Sequence, residues 1–230
     1  MSISIITVVY NDKVGLSKTI DSVVNQKGIT EDSVEYIVVD GGSTDGSFEL
    51  ILEHQDTISA YTSETDYGVY DAMNKGIDIA NNDYLIFMNA GDIFYSSDVI
   101  SKLLMVMSKE PQVDLFYSDT QFSDGSVFYC DANALRIIHQ SLCYRKSLHK
   151  TEGYYMVGKK WSISDYMFFS NCKHYNWMKV NTISNFDLGG ISSNANHYYQ
   201  KLVVDLLYND MSFLKFSFLF LQKKLRELFK

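Results

Sequence analysis

Asp92 ends the tetrapeptide Asn89-Ala-Gly-Asp92, which follows the apolar run Tyr84-Leu-Ile-Phe-Met88. Open α/β sheets bind ligands outside the carboxyl ends of their strands, so a carboxylate there is well placed for a ligand. It suits a divalent metal, and a metal suits a diphosphate. Asp40 stands likewise at the end of Glu35-Tyr-Ile-Val-Val-Asp40, before two glycines. It could accept from a ribose hydroxyl or a base imide N–H, or simply form the turn. Ser164-Asp165 reads as a helix cap. His139 is as readily a structural histidine as a functional one. The Gly41-Gly-Ser-Thr-Asp-Gly46 loop lacks the lysine and spacing of a Walker A sequence, and a Rossmann Gly-x-Gly-x-x-Gly is absent.

These side chains need a frame. Ile3 to Val9 is a β-branched run bounded by Tyr10-Asn11-Asp12 and predicts a buried first strand. Leu16, Ile20, Val23 and Val24 recur at helical spacing, ending near Lys27-Gly28. Glu35 to Asp40 predicts a second strand, Phe48 to His54 a helix, and Ile58 to Thr62 a short third strand. Val69 to Ala80 is a helix with Met73, Ile77 and Ala80 on one face. Tyr84 to Met88 is a strand and Val99 to Met107 a helix. Alternating strands and helices make an α/β fold with a mostly parallel, doubly wound sheet. Beyond Asp114, Leu115 to Tyr117, Thr120 to Phe122 and Val127 to Tyr129 read as strands around an Asp124-Gly125 turn. Arg136 to Tyr144 suits either period. Asp165 to Cys172 predicts a short helix.

The motifs Thr7-Val-Val-Tyr-Asn11, Val38-Val-Asp-Gly-Gly-Ser-Thr-Asp-Gly46, Asp66-x-Gly68 with Asn74-x-Gly76, and Asn89-Ala-Gly-Asp92 occur in an order and spacing that resemble the inverting glycosyltransferases of family 2. Those enzymes have the GT-A fold. The resemblance is strong from residue 3 to about 105 and continues through His139-Gln140, Ser164-Asp165 and Gly189-Gly190. It implies that Thr7, Tyr10 and Asn11 form the first nucleotide-contacting loop and that Asp40 contacts uracil or ribose. Asp66 closes the base pocket, and Asn74 lies on the helix that follows. Asp92 matches the last carboxylate of the Asp-x-Asp element that holds Mn²⁺ or Mg²⁺ against the diphosphate. Asn89 replaces the first carboxylate and could bind ribose or a metal-bound water through its carbonyl, so one acidic ligand stands in the motif and the phosphates must supply oxygens. Asp165 matches the place of the catalytic base, a carboxylate that takes the acceptor proton, with Asp119, Asp131 and Glu152 as the competing carboxylates and His139 and Gln140 on the diphosphate and acceptor side. Among Tyr154, Tyr155, Trp161, Tyr166, Phe168 and Phe169, mostly core, Trp161 is the candidate to stack on a sugar ring.

The resemblance therefore implies a UDP-sugar donor, inversion, and a glycan or lipid-linked glycan acceptor of the bacterial surface-polysaccharide type. Asn89 keeps a second reading open: a nucleotide-sugar-binding module with weak or lost catalysis. A nucleotidyltransferase would carry a Gly-rich loop with Arg and Lys after the first strand, where this chain has Tyr-Asn-Asp-Lys.

The net charge of −8 argues against nonspecific nucleic-acid binding. Three widely spaced cysteines have no zinc-ligand spacing and suggest no disulfide framework, which suits a reducing cytosol. No basic leader precedes the first strand, and no apolar run is long enough to span a bilayer. Residues 1–110 read as the nucleotide-sugar half of one domain and 111–210 as its smaller acceptor-side and catalytic-base half. Residues 211–230 form a basic amphipathic C-terminal helix. That tail holds five basic residues and one acidic. Leu214, Phe218, Leu221, Leu225, Leu228 and Phe229 share one stripe, with Lys215, Lys223, Arg226 and Lys230 opposite. This suits an anionic membrane surface, the cytoplasmic face of the inner membrane. The alternative is packing on the domain or in a homodimer.

Overall fold

The computed structural model describes residues 1–30, 32–158, 161–186, 195–209 and 211–228. Gly189-Gly190 therefore lies outside the described residues, as do Asp210 and the last two positions of the tail. The strands are β1 (Ile3–Val9), β2 (Val34–Asp40), β3 (Ala60–Ser63), β4 (Tyr84–Phe87), β5 (Ile93–Phe94), β6 (Leu115–Tyr117), β7 (Thr120–Phe122), β8 (Val127–Phe128), β9 (Leu142–Arg145), β10 (Trp177–Lys179) and β11 (Ser184–Phe186). The helices are α1 (Lys13–Val24), α2 (Ser47–Glu53), α3 (Val69–Ile79), α4 (Val99–Lys109), α5 (Leu148–Glu152), α6 (Ser164–Asn171), α7 (Ala195–Tyr208) and α8 (Phe213–Leu228).

A seven-stranded sheet runs in the order β10-β6-β9-β4-β1-β2-β3. Its strands are parallel except β9, which is antiparallel to both β4 and β6. The sheet therefore crosses the expected boundary near residue 110, and both halves share one core. A smaller sheet, β5-β11-β7-β8, stands beside it. The expected α/β, GT-A-like architecture is present, with the smaller region and a C-terminal helix in place.

Alternation along the strands sorts side chains to two faces, as the pleat requires. Ile3, Ile5, Val9, Tyr36, Val38, Tyr84 and Ile86 join Leu16, Ile20, Leu50, Ile51, Ile100 and Leu103 of α1, α2 and α4 on one face. Ile6, Val8, Ile37, Val39, Leu85 and Phe87 join Tyr70, Met73 and Ile77 of α3 and Phe168 and Phe169 of α6 on the other. Close docking of α3 depends on Gly76. A Cβ there would come within 2.5 Å of Ile6 Cγ2.

The ambiguous segment Arg136 to Tyr144 resolves into a short 3₁₀ turn, His139–Ser141, followed by β9. Strands β5, β10 and β11, of two or three residues each, were not expected. Helices α5 and α7 were not expected either. Leu148 supplies the main buried face of the five-residue α5.

Candidate functional site

Three parallel strands, β4, β1 and β2, end side by side at the same edge of the sheet. The loops after them carry the expected residues. Asn11 has a left-handed φ of 50°, which asparagine tolerates. Its backbone N–H donates to Ser43 Oγ at 2.8 Å, and its Oδ1 accepts from the Thr44 N–H at 2.8 Å. The loops after β1 and β2 are thereby laced into one surface.

Asp40 is fully buried. Its carboxylate accepts from the Ser43 hydroxyl and N–H and, at 2.6 Å, from the Ser63 hydroxyl. It builds the turn as well as standing at the strand end. Beside it Asp66 lies over Gly41. A Cβ on Gly41 would come within 2.5 Å of Asp66 Oδ2 and 3.3 Å of the Tyr10 ring. The absent side chain lets a carboxylate and an exposed aromatic face close on one small space. Thr7 lies beneath, its hydroxyl 3.1 Å from the Tyr36 hydroxyl inside the core. It shapes the strand from below and does not reach the loop surface. Asn74 is also drawn away from the strand ends. Both ends of its amide bond the backbone of Tyr155, at 2.9 and 3.1 Å.

The loop after β4 turns tightly, with the Asp92 N–H donating to the Asn89 carbonyl at 2.9 Å. Thr19 of α1 anchors it. The Thr19 hydroxyl donates to the Asp92 carbonyl at 2.8 Å and accepts from the Gly91 N–H at 3.0 Å. Thr19 lies at helical spacing on the same stripe as Leu16, Ile20 and Val23. A polar residue on an apolar stripe signals a buried partner, and that signal was readable. Asp92 is buried, and Asn89 Oδ1 is a buried oxygen with no hydrogen-bond partner among the described residues. An amide oxygen without a donor beside a carboxylate is a donor set that fits a hard divalent cation. Among the described residues no cluster of three or more His, Cys, Asp or Glu could hold a metal alone. Ligand oxygens would have to complete the shell.

Asp165 stands in the first turn of α6. Its Oδ1 accepts from the Tyr70 hydroxyl at 2.6 Å, and its Oδ2 lies 3.7 Å from His139 Nδ1. Burial pulls the His139 pKa down, against the opposing pull of Asp165, so the imidazole favours its neutral form. Its Nε2 is buried without a partner among the described residues, and its ring meets Phe87 of β4 edge-on at 5.5 Å. His139 therefore connects Asp165 to the end of β4. Gln140 is buried next to it. Burial and the Asp165 charge hold the Tyr70 phenol protonated. Tyr70 was read only as part of a helix.

The competing carboxylates have structural partners. Asp119 pairs with Lys179 at 2.7 Å and accepts from the Cys130 N–H at 2.7 Å. Asp131 accepts from the Asn133 N–H at 3.0 Å, closing a turn. Glu152 accepts from the Tyr175 hydroxyl at 2.9 Å. Trp161 is half-buried and packs over Gly158, where a Cβ would come within 2.5 Å of its ring.

The family model for glycosyl transferase family 2 matches residues 4–163. A "PGL/p-HBAD biosynthesis glycosyltransferase" of Mycobacterium bovis is 30% identical over 212 residues, covering 83% of this chain and 78% of that protein. An uncharacterized glycosyltransferase of Haemophilus influenzae is 30% identical over 144 residues, covering 60% of this chain and 53% of that protein. Among solved structures, S. aureus TarS 1-349 in complex with UDP-GlcNAc superposes with a TM-score of 0.74 at 15% identity, covering 92% of this chain and 68% of that one. Another TarS 1-349 structure is spanned to 65% and a longer TarS chain to 41% of its length. The mannosyltransferase PcManGT of Pyrobaculum calidifontis, in complex with GDP-Man and Mn²⁺, superposes with a TM-score of 0.65 at 16% identity, covering 90% of this chain and 61% of that one. The structural likeness shows a shared fold, and the family model covers most of the chain: this chain belongs to glycosyl transferase family 2.

Proposed function

We propose that this protein transfers a sugar from a UDP-sugar to an acceptor hydroxyl with inversion at the anomeric carbon. One observation carries the reading. Tyr10, Gly41 and Asp66 frame a narrow space at the ends of β1 and β2, and Asn89 Oδ1 with Asp92 stands at the adjacent end of β4. A base and a diphosphate can lie across those neighbouring ends. Tyr10 supplies a face for the base, and Asp66 with Asp40 supplies acceptors for its N–H groups and for ribose. Asn11 ties the loops after β1 and β2 together, while Thr7 supports β1 from the core and Asn74 fixes α3 to Tyr155. The UDP and UDP-GlcNAc complexes of TarS support this donor class on the same fold.

Asn89 and Asp92 would hold Mn²⁺ or Mg²⁺, which neutralises charge on the leaving diphosphate. Asp165 takes the acceptor proton as the acceptor oxygen bonds C1 and the bond from C1 to the diphosphate breaks, releasing UDP. His139 and Gln140 line the side between diphosphate and acceptor, with Trp161 beyond them as a platform for a sugar ring. In this reading residues 1–110 bind the donor and 111–210 face the acceptor, a glycan or lipid-linked glycan. The tail rests on an anionic membrane, at the cytoplasmic face of the inner membrane.

A thermal-shift screen of UDP-glucose, UDP-N-acetylglucosamine and GDP-mannose, with and without MnCl₂, tests the donor class. A ligand at 100 times its Kd should stabilise the fold by about 2.7 kcal/mol. One UDP-sugar should bind in a metal-dependent way and then release UDP. Asp92→Ala should abolish both effects. Full metal-dependent turnover by that variant would remove Asp92 from the site. Binding without any UDP release would favour the catalytically silent module instead.

A further inference from the structure

Tyr70 lies in the first turn of α3 with its side chain buried. Its ring leans on Tyr155 at 5.7 Å between centroids, and its hydroxyl reaches across to α6, 2.6 Å from Asp165 Oδ1. On the other side Asp165 Oδ2 looks toward His139. Among the described residues, the phenols of Tyr155 and Tyr144, both buried, also feel the charge of this carboxylate. A hydroxyl at this distance from a carboxylate makes a charge-assisted bond, about twice the strength of a neutral one. It also restricts rotation of the carboxylate.

We propose that Tyr70 is a positioning residue for the base: it holds Oδ1 of Asp165 and turns Oδ2, on the His139 side, toward the acceptor proton. The proposal rests on the reading of Asp165 as the base. As the acceptor oxygen bonds C1 and the diphosphate leaves, the acceptor proton passes to Oδ2, while the Tyr70 proton stays on the phenol. Tyr70 follows Asp66 by four residues, so the segment that closes over the nucleotide also carries the group that aims the base.

The test uses the full chain with Mn²⁺, UDP-glucose or UDP-N-acetylglucosamine as donor and water as acceptor, reading UDP release. Tyr70→Phe keeps the buried ring and removes the hydroxyl. Its kcat should fall roughly 10- to 100-fold with donor KM within about twofold. Loss of a bond to the charged form favours the protonated one, so the acidic limb of the kcat–pH profile should move up. Carboxyl ¹³C NMR of Asp165 should show the same upward shift without any turnover. An unmoved Asp165 titration overturns the proposal. So does a lower kcat with an unmoved acidic limb, which marks a packing role. Asp165→Asn separates the two readings. If it releases UDP at the normal rate, the base assignment fails and Tyr70's role fails with it. If it collapses while Tyr70→Phe behaves normally, the base stands and the role of Tyr70 alone fails.

Discussion

At the scale of single residues, two aspartates near the nucleotide space differ in how deeply the fold depends on them. Asp40 is buried and holds both Ser43 and Ser63, so it ties the loop after β2 to the end of β3. Asp66 is half-buried, and its Oδ1 accepts only a local bond from the Gly68 N–H at 2.8 Å. Asp66→Ala should therefore weaken UDP binding by ~1.5–3 kcal/mol, the scale of a charged hydrogen bond, with little change in melting temperature. Asp40→Ala should weaken UDP binding to a similar extent and also lower the melting temperature, because three donors of Ser43 and Ser63 lose their acceptor. Calorimetric titration with UDP beside thermal melts checks both. Unchanged UDP affinity in either variant would take that residue out of the nucleotide site. The sequence motifs identified both positions, but the load on Asp40 depends on Ser63, which comes from another strand.

Among the elements, the C-terminal hairpin shows most clearly what a helical wheel can and cannot tell. The predicted apolar stripe on α8 is present, and most of it is uncovered. Leu214, Phe218, Leu221 and Leu225 are 83%, 65%, 60% and 53% exposed. The opposite face does not simply point to water. Phe220 packs on Tyr199 of α7 at 5.3 Å, and Lys223 and Lys224 lie over the Tyr198 and Tyr199 rings at 5.3 and 4.8 Å. Lys215 and Arg226 stay exposed beside the stripe. A chain ending at Asn209 should stay folded, since α7 is held to α6 by Lys201 over the Tyr166 ring at 3.7 Å and by Asn209 to Ser170 at 3.3 Å. It should lose binding to anionic vesicles, measured by sedimentation, and keep UDP binding. High salt should weaken vesicle binding of the full chain by screening the basic residues. Full-length protein that ignores anionic vesicles at low salt, or a truncation that breaks a dimer, would make α8 a protein contact. Among the described residues no helix is long and apolar enough to cross a membrane.

For the whole molecule, a buried polar chain links the lower core to pH. His149 is stacked on Phe168 at 4.3 Å. Its Nδ1 lies 3.0 Å from the Gly153 carbonyl, and its Nε2 lies 3.0 Å from the Tyr144 hydroxyl, which meets Tyr155 at 2.8 Å. A neutral ring protonated on Nδ1 satisfies both neighbours. Burial pushes its pKa down to about 4. The unfolded chain thus binds a proton that the folded chain refuses between about pH 6.5 and pH 4. The contribution is fully present above pH 6.5 and is lost as pH falls through that window. Urea unfolding at pH 5 should show about 2 kcal/mol less stability from this group than at pH 7. Burial lowers the His139 pKa too, with the same sign. His149→Gln should flatten this dependence, and an unchanged slope in that variant would place the acid sensitivity elsewhere.

The α/β class, the parallel strands of the first half and the motifs that became loops at the strand ends were legible in the chain alone. Those signals are local: β-branched runs, helical stripes and Gly-rich turns appear within a few residues of one another. The sequence also singled out Asp165 and His139, but not their relation. The folded chain is what brings Tyr70 of α3, Asp165 of α6 and His139 of the 3₁₀ turn together and anchors the loop ending in Asp92 on Thr19. Those contacts join residues 26 to 95 positions apart, and no periodicity reports a partner at that separation. The short strands β5, β10 and β11 were invisible for a related reason. The hydrogen bonds that make them strands come from neighbours distant in sequence.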